Sequence, residues 1–79
     1  MPFVYILHCG DDSLYTGIAK DVQRRLKMHQ TGKGAKYTAT RLPVTLAWVR
    51  EVPTWAEAMR EERRIKRLSR ARKLALIAA

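Results

Sequence analysis

This 79-residue chain is poor in several residue types, and each scarcity excludes something. It has one cysteine, Cys9, so there is no intrachain disulfide and no cysteine-built metal cluster. A lone thiol fits a reducing, cytoplasmic setting. Acidic residues number seven against sixteen Lys and Arg, leaving a net charge of +9. A compact domain with that imbalance meets a polyanion, usually nucleic acid. No apolar run approaches the roughly 20 residues of a membrane span, and the start, Met1-Pro2-Phe3, lacks a signal peptide's charged and apolar regions. No continuous basic amphipathic helix favours a membrane surface either. There is no internal repeat and no linker. The length allows one small domain, 1–79, and a hydrophobic content of 47% is that of a folded chain.

What is present begins with two tyrosines ten residues apart, in Val4-Tyr5-Ile6-Leu7 and Leu14-Tyr15-Thr16-Gly17-Ile18. The turn-rich Cys9-Gly10-Asp11-Asp12-Ser13 between them predicts a hairpin. If Tyr5 pairs with Gly17, then Tyr5, Leu7, Tyr15 and Gly17 share one face. Asp21 is a good N-cap and Gly32 a good stop, predicting a helix between them. Gly32-Lys33-Gly34 lacks the spacing of a nucleotide-binding loop but can wrap a phosphate through backbone amides. Tyr37 to Leu42 suggests a short helical turn ended by Pro43, and Val44 to Val52 a third strand around Trp48. Thr54-Trp55-Ala56-Glu57 is a capping box that opens a helix to about Leu68, and Ser69 caps a last one through Leu74 and Ile77.

Helix geometry then places the polar residues. Arg25 and His29 fall near the side marked by Val22 and Leu26, while Arg24, Lys27 and Gln30 point elsewhere. In the long helix Trp55, Ala58, Met59 and Ile65 form the expected apolar stripe. Glu62 lies near its centre, and Glu61 roughly 90° away. A carboxylate in such a stripe needs a partner or a metal. The expected site thus has Arg25, His29 and Glu62 facing inward from two helices over the sheet that carries Tyr5 and Tyr15. A charged arginine can hold a scissile phosphate. A lone glutamate can hold one divalent ion, Mg²⁺ with several waters retained. A tyrosine or histidine can move the proton. The structural alternatives are an Arg25–Glu62 or Glu62–Lys66 ion pair, a His29 that only bonds a carbonyl at its helix end, and a solvated face for Arg60, Arg63, Arg64, Arg67, Arg70, Arg72 and Lys73. That basic face still suits phosphate contacts.

At these residues the chain resembles the GIY-YIG nuclease superfamily, and most of all its small stand-alone bacterial members. Phe3-Val4-Tyr5 matches the first motif and Tyr15-Thr16-Gly17 the second. Arg25 with His29, then Gly32-Lys33-Gly34-Ala35-Lys36-Tyr37-Thr38, then Glu62 before Ile65-Lys66 complete the series. The resemblance implies an α+β fold, a three-stranded antiparallel β-sheet flanked by helices. It also implies Tyr5, Tyr15, Arg25, His29 and Glu62 as catalytic residues, with Glu62 ligating Mg²⁺ or Mn²⁺. Lys33, Lys36, Tyr37, Arg41, Arg63, Lys66 and Arg70 are the expected nucleic-acid contacts. There are departures. Phe3 stands for the motif's glycine, Ile18 stands where excision-repair relatives carry a lysine, and no asparagine after the Glu62 helix can be assigned. The extra DNA-binding domains of homing and repair relatives have no counterpart, which implies low selectivity or a protein partner that supplies it.

The expected function is metal-dependent endonucleolytic hydrolysis of phosphodiester bonds in DNA, in repair or recombination, with RNA the open alternative substrate. The rivals are a non-catalytic nucleic-acid-binding module and a basic subunit of a repair or RNA complex.

Overall fold

The structure, a computed structural model, describes residues 1–79. Strands β1 (Phe3–His8) and β2 (Leu14–Ala19) form the expected antiparallel hairpin. Tyr5 pairs with Gly17 and Leu7 with Tyr15, as the alternation requires. In the turn, the Asp12 amide donates to the Cys9 carbonyl at 2.9 Å, and the Asp11 carboxylate accepts the Ser13 amide at 3.0 Å. Such local bonds are why Asp favours turns. Strand β3 (Thr45–Glu51) pairs antiparallel with the other edge of β1, giving the order β2-β1-β3. A bulge falls between the Ile6–Trp48 and Leu7–Leu46 pairs. It lets Trp48 follow Ile6 to one face while Leu46 follows Leu7 to the other.

The helices are capped as expected. Asp21 accepts the Arg24 amide at 3.1 Å and starts α1 (Val22–Gln30), which Gly32 ends with φ 81°. A short α2 (Lys36–Ala39) follows. Thr54 accepts the Glu57 amide at 3.1 Å at the head of α3 (Trp55–Lys66). Ser69 accepts the Arg72 amide at 3.2 Å and starts α4 (Arg70–Ala78).

The layering corrects one expectation: α1 and α3 do not cover the same face. Val4 and Ile6 pack with Ala58 and Ile65 of α3 and with Leu76 and Ile77 of α4. Tyr5 and Leu7 pack instead with Tyr15, Val44 and Leu26 of α1. The reason lies in β1. Val4, Tyr5, Ile6 and Leu7 are all buried, so the central strand presents apolar side chains to both faces and both need a cover. The apolar stripe of α3 is also narrower than expected. Ala58 and Ile65 are fully buried, but Trp55 and Met59 stand more than 40% exposed. Leu76 and Ile77 of α4 pack against the same cluster.

Candidate active site

The Tyr5 side chain leaves the middle of β1 and lies across Gly17 of β2. A β-carbon at Gly17 would stand 2.5 Å from the Tyr5 hydroxyl, so only glycine leaves that path open. The hydroxyl reaches His29 Nε2 of α1 at 2.9 Å. On the far side of the ring, His29 Nδ1 is 2.8 Å from Thr38 Oγ1 of α2, and the Thr38 hydroxyl donates to the Ala35 carbonyl at 3.2 Å. With the Thr38 proton on the Ala35 carbonyl, Thr38 Oγ1 is left as an acceptor. Thr38 Oγ1 then accepts from Nδ1–H, which leaves the bare Nε2 to accept the Tyr5 proton. Gly34 gives the ring its room, since a β-carbon there would run into the imidazole.

Burial shapes the proton affinities along this line. His29 is fully buried, and its pKa is lowered first by lost solvation and then by the Arg25 charge. It is therefore neutral at pH 7 and available as an acceptor. Tyr5 is pushed up, chiefly by burial, with the Arg25 guanidinium partly offsetting this and the Tyr15 and Glu62 charges adding to it. Such a phenol keeps its proton until a neighbour takes it.

Beside this line stands an aromatic stack. The Tyr15 ring lies 5.2 Å from His29 and 5.8 Å from Tyr37, and the Arg41 guanidinium sits 3.9 Å over Tyr37. Arg41 is itself held by Asp11 at 2.9 Å and by the Tyr37 carbonyl at 2.9 Å. The hairpin turn, Arg41 and Tyr37 thus brace Tyr15 from outside. Arg25 is half-buried and donates to the Gly34 carbonyl at 3.3 Å.

Glu62 comes from the other layer. Its side chain is 24% exposed, it pairs with Lys66 at 3.4 Å, and its charge is felt at Tyr5. It makes no ion pair with Arg25, so of the two structural pairings weighed from the sequence, Lys66 is the one formed. Glu61 is no more exposed and is occupied by Arg50 at 3.3 Å and by Arg64. No three His, Cys, Asp or Glu side chains gather to cage an ion. Glu62, a single part-exposed carboxylate, fits a hard cation that keeps most of its waters and not a fully protein-ligated one. Such a cation would replace Lys66 at Glu62.

Tyr5, Tyr15, Arg25 and His29 are therefore gathered on one face, whereas Glu62 rises from the helix that covers the other. His29 bonds Tyr5 and Thr38 rather than a carbonyl at its helix end. Sequence reading gives Thr38 and Gly34 no role at His29, because the loop that carries Gly34 and leads into α2 has a path no periodicity reports. Of the expected nucleic-acid contacts, Lys33, Lys36 and Arg63 are exposed and make no ion pair, and Arg70 pairs with Asp12 at 3.1 Å. Lys66, Arg41 and Tyr37 are held as described above.

Comparison with known proteins identifies the family. The family model described as the GIY-YIG catalytic domain matches residues 1–75. A UPF0213 protein of Streptococcus sanguinis is 56% identical over 75 residues, covering 95% of this chain and 86% of that relative. One from Halobacterium salinarum is 53% identical over 76 residues, covering 96% of this chain and 99% of the other. The solution NMR structure of a UPF0213 protein from Bacillus halodurans superposes with a TM-score of 0.63 at 49% identity, covering 99% of this chain and 84% of that one. The family model matched over nearly the whole length, with relatives more than half identical over the same span, shows that this chain belongs to the GIY-YIG catalytic domain family, a family of nucleases.

Proposed function

We propose that this protein is a divalent-metal-dependent endonuclease that hydrolyses phosphodiester bonds in DNA. The observation that carries this reading is the oriented line Tyr5–His29–Thr38, in which a neutral imidazole offers its lone pair to a buried phenol. Arg25 clamps the scissile phosphate and takes up charge as it develops. A water deprotonates onto the Tyr5 oxygen as the Tyr5 proton passes to His29 Nε2. The resulting hydroxide forms the new P–O bond as the opposite P–O bond breaks, and the leaving oxygen takes the electron pair and then a proton from bulk water. Thr38 holds the imidazolium in place through Nδ1–H. Tyr15, braced by Tyr37 and Arg41, walls the site and orients the water.

Glu62 would hold Mg²⁺ or Mn²⁺, which supplies charge neutralisation at the phosphate and at the leaving oxygen. Lys33, Lys36, Arg63, Lys66 and Arg70 line the approach of the backbone, with Tyr37 and Arg41 at its rim. Repair or recombination is the process that a small nuclease of this family would serve. The buried lone thiol of Cys9 suits the reducing cytoplasm. A protein partner would supply substrate selectivity.

The test is digestion of plasmid, single-stranded, branched and RNA substrates with Mg²⁺ or Mn²⁺ against a chelator control. Metal-dependent nicking of DNA is expected. Binding without cleavage of any substrate would turn the reading to a nucleic-acid-binding module in which Glu62 is only the partner of Lys66.

A further inference from the structure

Where the two helical layers meet at the end of β2, the surface opens into a cleft of about 430 Å³. Its apolar side is Ile18, Met28 and Trp55, and its basic side is Lys20, Arg24 and Arg25. Three features separate it from an ordinary surface dent. Trp55 is 43% exposed, whereas the chain's other tryptophan, Trp48, packs against the core. An indole at the head of a helix that is left uncovered is a large apolar face without a partner. Lys20 and Arg24 make no ion pair, and the single acid in the lining, Asp21, already caps α1. The cleft also shares Arg25 with the site above, which sets the two side by side.

We propose that this cleft seats one unpaired nucleobase, stacked on Trp55 between Ile18 and Met28, with the adjoining phosphates held by Lys20 and Arg24. The size is that of a site for a small organic group and not for a duplex, and the charge calls for an anionic backbone. A base within a duplex is already stacked on its neighbours and must be unstacked before an indole can take it. A single strand, a flap or a gap offers bases that are free to stack. The proposal rests on the nuclease reading above and deepens it. It names the substrate class as DNA with at least one unpaired nucleotide beside the scissile phosphate.

The test is binding without metal. A short labelled oligothymidylate is compared with an abasic chain of equal length and charge, by fluorescence anisotropy in a chelator. The wild type should bind the base-bearing strand tighter by on the order of ten- to a hundredfold. Trp55→Ala should erase that difference and leave affinity for the abasic chain unchanged. Trp55→Phe should restore most of it. Circular dichroism confirms that each variant is folded. Equal wild-type affinity for both chains overturns the proposal, and so does a Trp55→Ala variant that keeps the preference or weakens both chains alike. Because no cleavage is read, these results stand apart from the nicking assay, which alone decides the nuclease reading.

Discussion

The Tyr5 hydroxyl stands 2.9 Å from Nε2 of His29, and this bond ties the central strand of the sheet to the end of α1. It is both a structural contact and the first step of the proposed proton path, and substitutions separate the two. Tyr5→Phe keeps the ring over Gly17 but leaves Nε2 with no donor. A loss of roughly 1–3 kcal/mol in stability is expected, as for any buried polar group left unpaired. Cleavage should fall by about a hundredfold or more. Chemical denaturation and single-turnover cleavage measure the two effects. A fully active Tyr5→Phe would remove Tyr5 from the mechanism.

The room above Gly17 is the second target. In Gly17→Ala the added methyl meets the Tyr5 phenol, and the phenol cannot move without giving up His29. Overpacking of this kind costs about 1–3 kcal/mol. For a domain of this size that is a fall in melting temperature of roughly 4–8 °C per kcal/mol. Calorimetry reads it. The double variant Gly17→Ala with Tyr5→Ala should lose less than the sum of the two single losses, since the clash is then gone.

Acid should weaken the fold through His29. Its pKa in the folded protein is depressed by burial and by Arg25, from an ordinary value of 6.5. As pH falls below 6.5 the unfolded chain takes up a proton that the folded chain refuses, so stability drops until the folded value is passed. Asp11, Asp12 and Glu61 are also held below their ordinary values, chiefly by hydrogen bonds from Ser13, His8 and Arg64 respectively, but their losses begin only near pH 4 and below. Denaturation midpoints taken from pH 8 to 5 should decline, and His29→Gln should flatten that decline. Cleavage should lose its rate over the same acid range, because an imidazolium cannot accept the Tyr5 proton.

The two neighbouring glutamates should part company. Glu62→Gln is expected to abolish metal-dependent cleavage with DNA binding kept, because the amide loses the charge that anchors the cation. Glu61→Gln should stay active, with stability within about 1 kcal/mol, as its partners Arg50 and Arg64 are both at the surface. Arg25→Ala should stop cleavage and also weaken binding at the site. An inactive Glu61→Gln beside an active Glu62→Gln would exchange the two roles.

Binding to DNA should be strongly salt-dependent. The net charge of +9 and the exposed, unpaired Lys33, Lys36 and Arg63 require counterions to be released on contact. A log–log plot of affinity against salt should be linear and steep. Substituting Lys33 and Lys36 together should reduce its slope by about two. A salt-independent affinity would remove charge as the basis of binding.

Much of this was readable from the residues themselves. The Tyr5–Gly17 register, the caps Asp21, Thr54 and Ser69, and the inward turn of Arg25 and His29 follow from periods of two and 3.6 and from capping chemistry, which act within a few residues. Which helix covers which face is another matter. It depends on how Ala58 and Ile65 of α3 and Leu76 and Ile77 of α4 fill the space under Val4 and Ile6, and packing among four separate segments has no local signature. The same holds for Trp55, which looked like core by its spacing and stands 43% exposed. The Thr38–His29–Tyr5 line joins three elements over 33 residues of chain, from Tyr5 to Thr38. Its direction comes from one shared hydroxyl proton. Only the tertiary structure could decide it, because a hydrogen bond is set by the positions of two atoms in space and not by their separation along the chain.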